Sequence, residues 1–308
     1  MTNDAPCLRQ NAPAASRPTR RQILVAGAVA VLGGTARAKA AADKTLVLGQ
    51  VSLSFYAVTG AVVQEALERL GYSVVVEEGP HEKIFPLLGE GSIDLMAAAW
   101  LPEGHARYWD QYGKGALEVA RLYDGARFFW AVPDYVPPEA VMSIADLTKP
   151  DVAQKMTRMI QGIGPGATIT AFSETAIRDY GLEQVGYSLH YGSQKDWIDA
   201  YRNGISDRRW FVFPTWTPQF LNRDGRLRAL DDPKGVLGKS NRASLVGSRS
   251  RFAGLPHATA TTLSRIHLET EAVTEMDWFV NVERLTPRNA ARRWMTANSD
   301  EVERWFEV

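Results

Sequence analysis

Short runs of branched and apolar residues with no helical period alternate along this chain with stretches whose apolar positions recur every three to four residues. Residues 45–51 (Thr-Leu-Val-Leu-Gly-Gln-Val) are the first such run and predict a strand. Residues 52–56 read as a loop. The period then changes: Val62, Val63, Ala66, Leu67 and Leu70 fall on one helical face, with Glu65, Glu68 and Arg69 on the other. Gly71 stops this helix, and residues 73–77 (Ser-Val-Val-Val-Glu) predict the next strand. A strand–helix–strand unit implies a parallel sheet with a right-handed crossover. Residues 83–88 read as a short helix. Residues 93–99 are a continuous apolar run, the pattern of a parallel strand buried on both faces. That run ends on Trp100, Leu101-Pro102 turns the chain, and residues 103–112 read as helix.

The second half repeats the plan. Residues 125–133 predict a strand carrying Phe128, Phe129 and Trp130, broken by Pro133, Pro137 and Pro138. Surface helix is expected over 144–147 and 151–155. A strand over 159–163, the tight turn Gly164-Pro165-Gly166 and a helix over 168–180 follow, ended by Gly181. Residues 187–191 predict a strand. Residues 193–203 predict a helix with Trp197 and Tyr201 at i, i+4. Residues 210–213 predict a strand leading into Pro214-Thr215-Trp216-Thr217-Pro218, and 242–248 a strand returning the chain. From Pro256 onward the period is helical. Thr286-Pro287 supplies an N-cap and a first helical residue, Ala290, Ala291, Trp294 and Met295 an apolar face, and residues 300–306 a closing helix with Trp305 docked. The fold class is therefore α/β: two lobes joined by two crossover strands, near Gly125 and Arg242. One lobe comprises residues 43–125 plus 250–308 and the other 126–249. A cleft between lobes is where small ligands bind.

Residues 1–42 differ from the rest. Thr19-Arg20-Arg21-Gln22 precedes an apolar run over 23–34, and Ala36-Arg37-Ala38 and Ala38-Lys39-Ala40 offer small-residue cleavage sites. This is the pattern of an export signal. Twelve apolar residues are too few to span a bilayer. The paired arginines resemble a twin-arginine signal, with a Sec signal the alternative. The expected location is periplasmic.

Composition alters this picture only once the leader is removed. At 308 residues, 45% hydrophobic and 23% charged, the balance is that of a globular protein of about two domains. The whole chain carries 35 basic and 35 acidic residues; without the six basic and one acidic residue up to Ala40, 29 face 34, a net charge of about −5. An acidic chain argues against nucleic acid as a partner. The one cysteine, Cys7, lies ahead of the apolar run and is lost with it, leaving no thiol, disulfide or Cys-based metal site.

Trp100 and Trp216 each follow a strand at its carboxyl end, one in each half, which is where open α/β sheets hold ligands. In Phe128-Phe129-Trp130, alternation lets Phe128 and Trp130 share a face: either that pair lines the cleft and Phe129 packs away, or the reverse. Backbone amides near Leu53, Phe55 and Tyr56 either meet an anion or only form a strand–helix turn, and those after Gly164-Pro165-Gly166 either accept an anion or only close a tight turn. Trp109, Trp197, Trp278, Trp294 and Trp305 lie at helical spacing among apolar neighbours and are expected to pack the core. Catalytic patterns are missing. His81, His105, His190, His257 and His267 fall in no metal spacing, and no Gly-x-Ser-x-Gly elbow or phosphate loop occurs. No enzyme activity, metal or cofactor is expected.

Several pieces, in order, resemble the substrate-binding proteins of ABC importers for quaternary amines such as glycine betaine, choline, carnitine and proline betaine. They are Leu70-Gly71-Tyr72, Gly91-Ser-Ile-Asp94 leading to Trp100-Leu-Pro102, Gly164-Pro165-Gly166, Trp216-Thr-Pro218, Leu230-Asp-Asp-Pro-Lys234, and the ending with Ala290, Ala291, Trp294, Asn298 and Trp305. The resemblance implies a periplasmic-binding-protein fold of the venus-flytrap, type II kind, with aromatic rings caging a cationic head. A trimethylammonium group has no N–H to donate, so ring faces recognise it by cation–π attraction and apolar contact. Carried over by position are Trp100 from one lobe and Phe128 and Trp216 from the other. Three positions depart from the family pattern. Leu53 stands where a Trp usually follows the first strand, with Phe55 and Tyr56 as nearby substitutes. Gln219 stands where several betaine binders have His, and Ala167 where choline-type members have Asn. The implied role is delivery of a small quaternary amine or betaine-like zwitterion to ABC permease subunits. The protein is expected to be a monomer that meets the membrane only through the permease. The alternatives are the same fold holding a different small polar solute, or a periplasmic sensor component.

Overall fold

The computed structural model describes residues 44–307; the export signal expected over residues 1–42 lies outside them. The first run forms β1 (Thr45–Val51) and the amphipathic stretch after it α1 (Ser54–Arg69). Next come β2 (Ser73–Gly79), α2 (His81–Glu90), β3 (Leu95–Leu101) and α3 (Ala106–Tyr112). The parallel pairing expected for a strand–helix–strand unit is present: β1 runs parallel to β3, with Leu48 opposite Leu95. All seven residues of β3 are buried, as its unbroken apolar sequence requires, because β1 flanks it on one side and β11 (Asn241–Ser248) on the other.

The strand β4 (Ala116–Pro133) is twice as long as the sequence implied. The sequence pattern starts this strand at Gly125, yet the strand already runs from Ala116 and passes through Gly125 at φ 74°, a backbone conformation glycine adopts without strain. There β4 changes partners. Up to Ala126 it pairs with β11; from Arg127 it pairs with β9 (Phe213–Thr217), and its end also with β10 (Leu227–Ala229). The seven strands β10-β4-β11-β3-β1-β2, with β9 also on β4, form one curled mixed sheet running through two lobes. Trp216 lies within β9, not beyond a strand end. Pro214 is tolerated inside β9 because that strand pairs with β4 alone, leaving the other edge free of ladder bonds.

The second lobe is completed by α4 (Pro150–Lys155), two short parallel pairs and two helices. The pairs are β5 (Met156–Thr157) with β8 (Trp210–Phe211), and β6 (Met159–Gln161) with β7 (Ser188–His190). The helices are α5 (Thr168–Asp179) and α6 (Gln194–Ser206), the latter with a capping box between Ser193 and Asp196. After β11 the chain ends in α7 (Arg249–Ala253), α8 (His257–Arg265), α9 (Thr270–Asn281), α10 (Pro287–Ala297) and α11 (Ser299–Phe306). Thr286 Oγ1 caps α10 by accepting from Asn289 N. The apolar face of α10 then packs on α1, where Arg288 and Arg292 pair with Glu65.

Two hydrophobic cores result. The smaller lies in the second lobe around Trp130, Ile144, Leu147, Ile160 and Ile177. The larger begins with β1, α1 and β3 and runs on through Phe128 into Trp197, Phe213 and Trp216. The larger core therefore crosses from lobe to lobe through aromatic rings.

Candidate ligand site between the lobes

Trp100 is the sixth residue of β3 and has no solvent-exposed surface. Its indole Nε1 donates to Tyr123 Oη at 2.9 Å, from β4. Its backbone is tied into the following turn: Trp100 N donates to His105 Nδ1 at 2.9 Å, and Trp100 O accepts from His105 N at 2.7 Å. An acceptor Nδ1 leaves the proton of the neutral ring on Nε2, which lies 3.3 Å from Tyr56 Oη. His105 thus binds the Trp100 turn to Tyr56.

Phe55 and Tyr56 sit in the first turn of α1 rather than in a loop. Leu53 is the N-cap of that helix and makes no side-chain cap bond; the Ser54 amide is satisfied across the cleft by Gln194 Oε1 at 3.1 Å. Both rings are buried. Phe55 lies 5.6 Å from Trp100 and 5.6 Å from Trp216, ring centre to ring centre, and Tyr56 6.2 Å from Trp100.

In the second lobe Phe128 and Trp216 are direct cross-strand partners on β4 and β9. Phe128 packs on Trp100 at 5.0 Å, while Trp130, two residues on, enters the second core and donates to Ser173 Oγ. Alternation places both on one face, but β4 passes from one core to the other between them. Phe129 lies on the opposite face under the Arg127 guanidinium. Trp216 stacks on Trp197 at 4.6 Å, and Trp197 is itself held by its Nε1 donating to Pro214 O at 2.8 Å. Trp216 Nε1 is buried with no hydrogen-bond partner among the described residues. Trp100, Phe55, Tyr56, Phe128 and Trp216 are therefore brought together. Trp197, read from sequence as core packing, is the ring behind Trp216.

A cavity of about 190 Å³ lies beside this cluster, lined by Leu53, His81, Glu82, Gly166, Ala167 and Gln194 among others. Four helices begin at its wall: α1 after Leu53, α2 after Pro80, α5 after Ala167 and α6 after Ser193. The first amides of a helix have no intrahelical acceptor, so each terminus carries partial positive charge, offset at α2 by Glu82 and at α6 by Asp196 in their first turns. Glu82 is the one charged side chain among its lining residues. The lobes meet here. Arg107 Nη2 and Tyr108 Oη both donate to Gly166 O, at 2.9 and 2.8 Å, and Gln194 Nε2 donates to Ser54 Oγ at 2.6 Å. None of the five clustered rings lines this cavity, which adjoins them through Leu53 and through His81, 6.2 Å from the Tyr56 ring; larger cavities occur elsewhere, one of about 580 Å³ near Glu271, Glu275 and Trp294.

Gln219, expected to meet a ligand carboxylate, has both ends of its amide engaged. Its Oε1 accepts from Leu221 N and its Nε2 donates to Thr215 Oγ1, capping the turn Phe220–Arg223. Burial, with Arg107 nearby, pushes the His81 pKa down to about 3, and burial together with His81 holds His105 well below the usual range. Burial pushes Asp277 up to about 6; its carboxylate accepts from Phe220 N and Asn281 Nδ2. Among the described residues no three His, Cys, Asp or Glu side chains are grouped to hold a metal.

Residues 44–297 match the family described as the substrate binding domain of ABC-type glycine betaine transport systems. The chain belongs to this family. Its members are extracytoplasmic solute-binding proteins, not enzymes. One relative is the glycine betaine/carnitine transport binding protein of Listeria monocytogenes, 28% identical over 159 residues, 52% of each chain. The present chain thus spans about half the length of that protein. An uncharacterised protein of Chromohalobacter salexigens is 33% identical over 112 residues, 35% of this chain and 70% of that one. Among solved structures, lactococcal OpuAC, closed around glycine betaine, superimposes with a TM-score of 0.77 at 26% identity, covering 86% of this chain and all of that one. A choline binding protein in complex with choline shares the fold, with a TM-score of 0.76 at 17% identity over 86% and 92% of the two chains. Among the described residues no helix is long and apolar enough to cross a membrane.

Proposed function

We propose that this protein is the periplasmic binding component of an ABC importer and delivers a small quaternary amine or betaine-like zwitterion to the permease. The observation that carries this reading is the gathering of Trp100 and Phe55 from one lobe with Phe128 and Trp216 from the other, beside a cavity walled by four helix N-termini. Ring faces suit a cation that has no N–H, worth about 2 kcal/mol or more when desolvated. Helix N-termini suit the carboxylate at the other end of a zwitterion. Glycine betaine, carnitine and proline betaine have both ends; choline has only the first. The lobes are residues 43–125 plus 250–308, and 126–249, supported by the exchange of partners that β4 makes between Ala126 and Arg127. Export proceeds through the twin-arginine or Sec signal of residues 1–42, and the binding protein acts as a monomer.

Intrinsic tryptophan fluorescence and thermal melting against glycine betaine, choline, carnitine and proline betaine test this reading. Quenching and a raised melting temperature with at least one of them support it. Unchanged emission and melting with all four reject the amine.

A second reading keeps the fold and changes the solute. It is favoured by Leu53, which presents an alkyl chain to the cavity where the family pattern has a Trp, and by Gln219, whose amide is occupied. Melting against a panel of small polar metabolites separates the two.

A further inference from the structure

We infer that the Phe55 ring occupies the place between Trp100 and Trp216 that a ligand's cationic head takes, so that binding displaces it. The inference rests on the amine reading above and specifies how that site works.

A cation–π contact needs an open ring face. Trp100 is 0% exposed and Trp216 and Phe55 are each 2% exposed, so no face of the three admits a molecule the size of water, still less a methylated ammonium. What covers them is chiefly other rings. Phe55 stands 5.6 Å from both tryptophans, tilted 51° to Trp100 and 46° to Trp216. That spacing falls within the roughly 6 Å at which a cation sits over a ring. The tilt matters as well. An aromatic edge carries partial positive charge and a face partial negative charge, so a tilted ring between two indoles is a weak, neutral substitute for a cation.

The three rings are not equally free to move. Trp100 is fixed by its strand ladder and by the bond to Tyr123, and Trp216 by its pairing with β4 and its stack on Trp197. The Phe55 ring has no polar anchor and stands at the second position of α1. The residue before it, Ser54, is joined across the cleft to Gln194. Opening the cleft breaks that link and uncovers Phe55, while Ser54 Oγ still accepts from Asn281 Nδ2 on α9 at 2.9 Å; the helix end stays anchored and the Phe55 side chain is what moves. Closing around a ligand leaves the two tryptophans in place and the Phe55 ring elsewhere. Affinity is then reduced by the fraction of molecules in which the ring is out, a state expected at about 10% or less.

The two roles open to Phe55 differ in sign. A ring that competes with the ligand raises affinity when removed; a ring that forms a wall of the site lowers it. Isothermal titration of wild type, Phe55→Ala, Phe55→Leu and Trp216→Ala with glycine betaine and with tetramethylammonium distinguishes them. Unliganded melting of each variant confirms that it is folded. The expected result is about tenfold tighter binding by Phe55→Ala, a smaller gain by Phe55→Leu, which lacks the positive edge but keeps some bulk, and weaker binding by Trp216→Ala. Weaker binding by both Phe55 variants, alongside a binding wild type, overturns the displacement and leaves the amine reading standing. Absence of binding in wild type and both Phe55 variants overturns both.

Discussion

Trp197 and Trp216 stand face to face, ring centres 4.6 Å apart and planes 19° from parallel. One face of Trp216 is therefore committed to Trp197, and its position depends on a residue of α6. Trp197→Ala should remove that backing and lower stability by about 3–5 kcal/mol, the usual cost of emptying a buried aromatic site. It should also weaken ligand binding, although Trp197 need not touch the ligand. Trp216→Ala should weaken binding more than Trp278→Ala, because Trp278 lies on α9 under Arg223, outside the ring cluster. Urea denaturation gives the stabilities and titration the affinities; equal affinity losses at Trp216 and Trp278 contradict the assigned site.

Two glycines touch the interface between lobes with different consequences. A Cβ at Gly104 would lie 2.7 Å from Trp100 Cβ and 3.1 Å from Trp100 O, atoms fixed by the β3 ladder and the His105 bonds. A Cβ at Gly166 would lie 1.9 Å from Glu82 Oε2, the far end of an exposed side chain that can turn away, and 3.2 Å from Tyr108 Oη, which need give only a few tenths of an ångström. Gly104→Ala should thus destabilise by about 1–3 kcal/mol, as overpacking does, and shift the tryptophan emission spectrum. Gly166→Ala should cost less than half as much. The reverse order in thermal melts counts against this assignment of rigid and yielding neighbours.

Acid should destabilise the fold. His81 is held down to about 3 against an ordinary 6.5, and His105 is also lowered. As pH falls below about 6.5 the unfolded chain takes up two protons that the native chain refuses, at ~1.4 kcal/mol per pH unit for each group. Asp277 opposes this. Its pKa is raised from 3.8 to about 6, so the stability it contributes is full below 3.8 and is lost as pH rises through about 6. Two histidines outweigh one carboxyl, so the melting temperature should drop between pH 6.5 and 4.5. His81→Phe keeps a ring beside Tyr108 but removes one titration, and should drop less. A wild-type melting temperature that is flat or rises toward pH 4.5 would show that the histidines do not dominate.

The sheet strands were legible because their apolar runs report burial directly: β1 lies at Thr45–Val51 as read, and β3 lies two residues later than read, at Leu95–Leu101, so that Trp100 is inside the strand rather than beyond it; Trp100 and Trp216 were visible as one ring from each half. The start of α1 was not legible. Its N-cap is Leu53, with no side-chain cap bond, so the usual Ser, Thr, Asp or Asn signal is displaced by one residue and Phe55 and Tyr56 read as loop. The length of β4 was hidden by Gly125, which reads as the start of the strand and is a bend inside it. Gln219 was read from its place in a family pattern, whereas its local partner Asn222 makes it a cap. The stack of Trp197 on Trp216 and the bond from Trp100 to Tyr123 are tertiary contacts between distant segments, with no local signature.

A crystal structure of the wild-type protein grown with glycine betaine tests the central claim most directly. The account predicts the trimethylammonium nitrogen within about 6 Å of the Trp100 and Trp216 ring centres, the carboxylate toward the amides that open α5, and the Phe55 ring moved from between the indoles. Betaine bound only in the cavity beside Leu53 and Glu82, with Trp100, Phe55 and Trp216 packed as they are here, would contradict it.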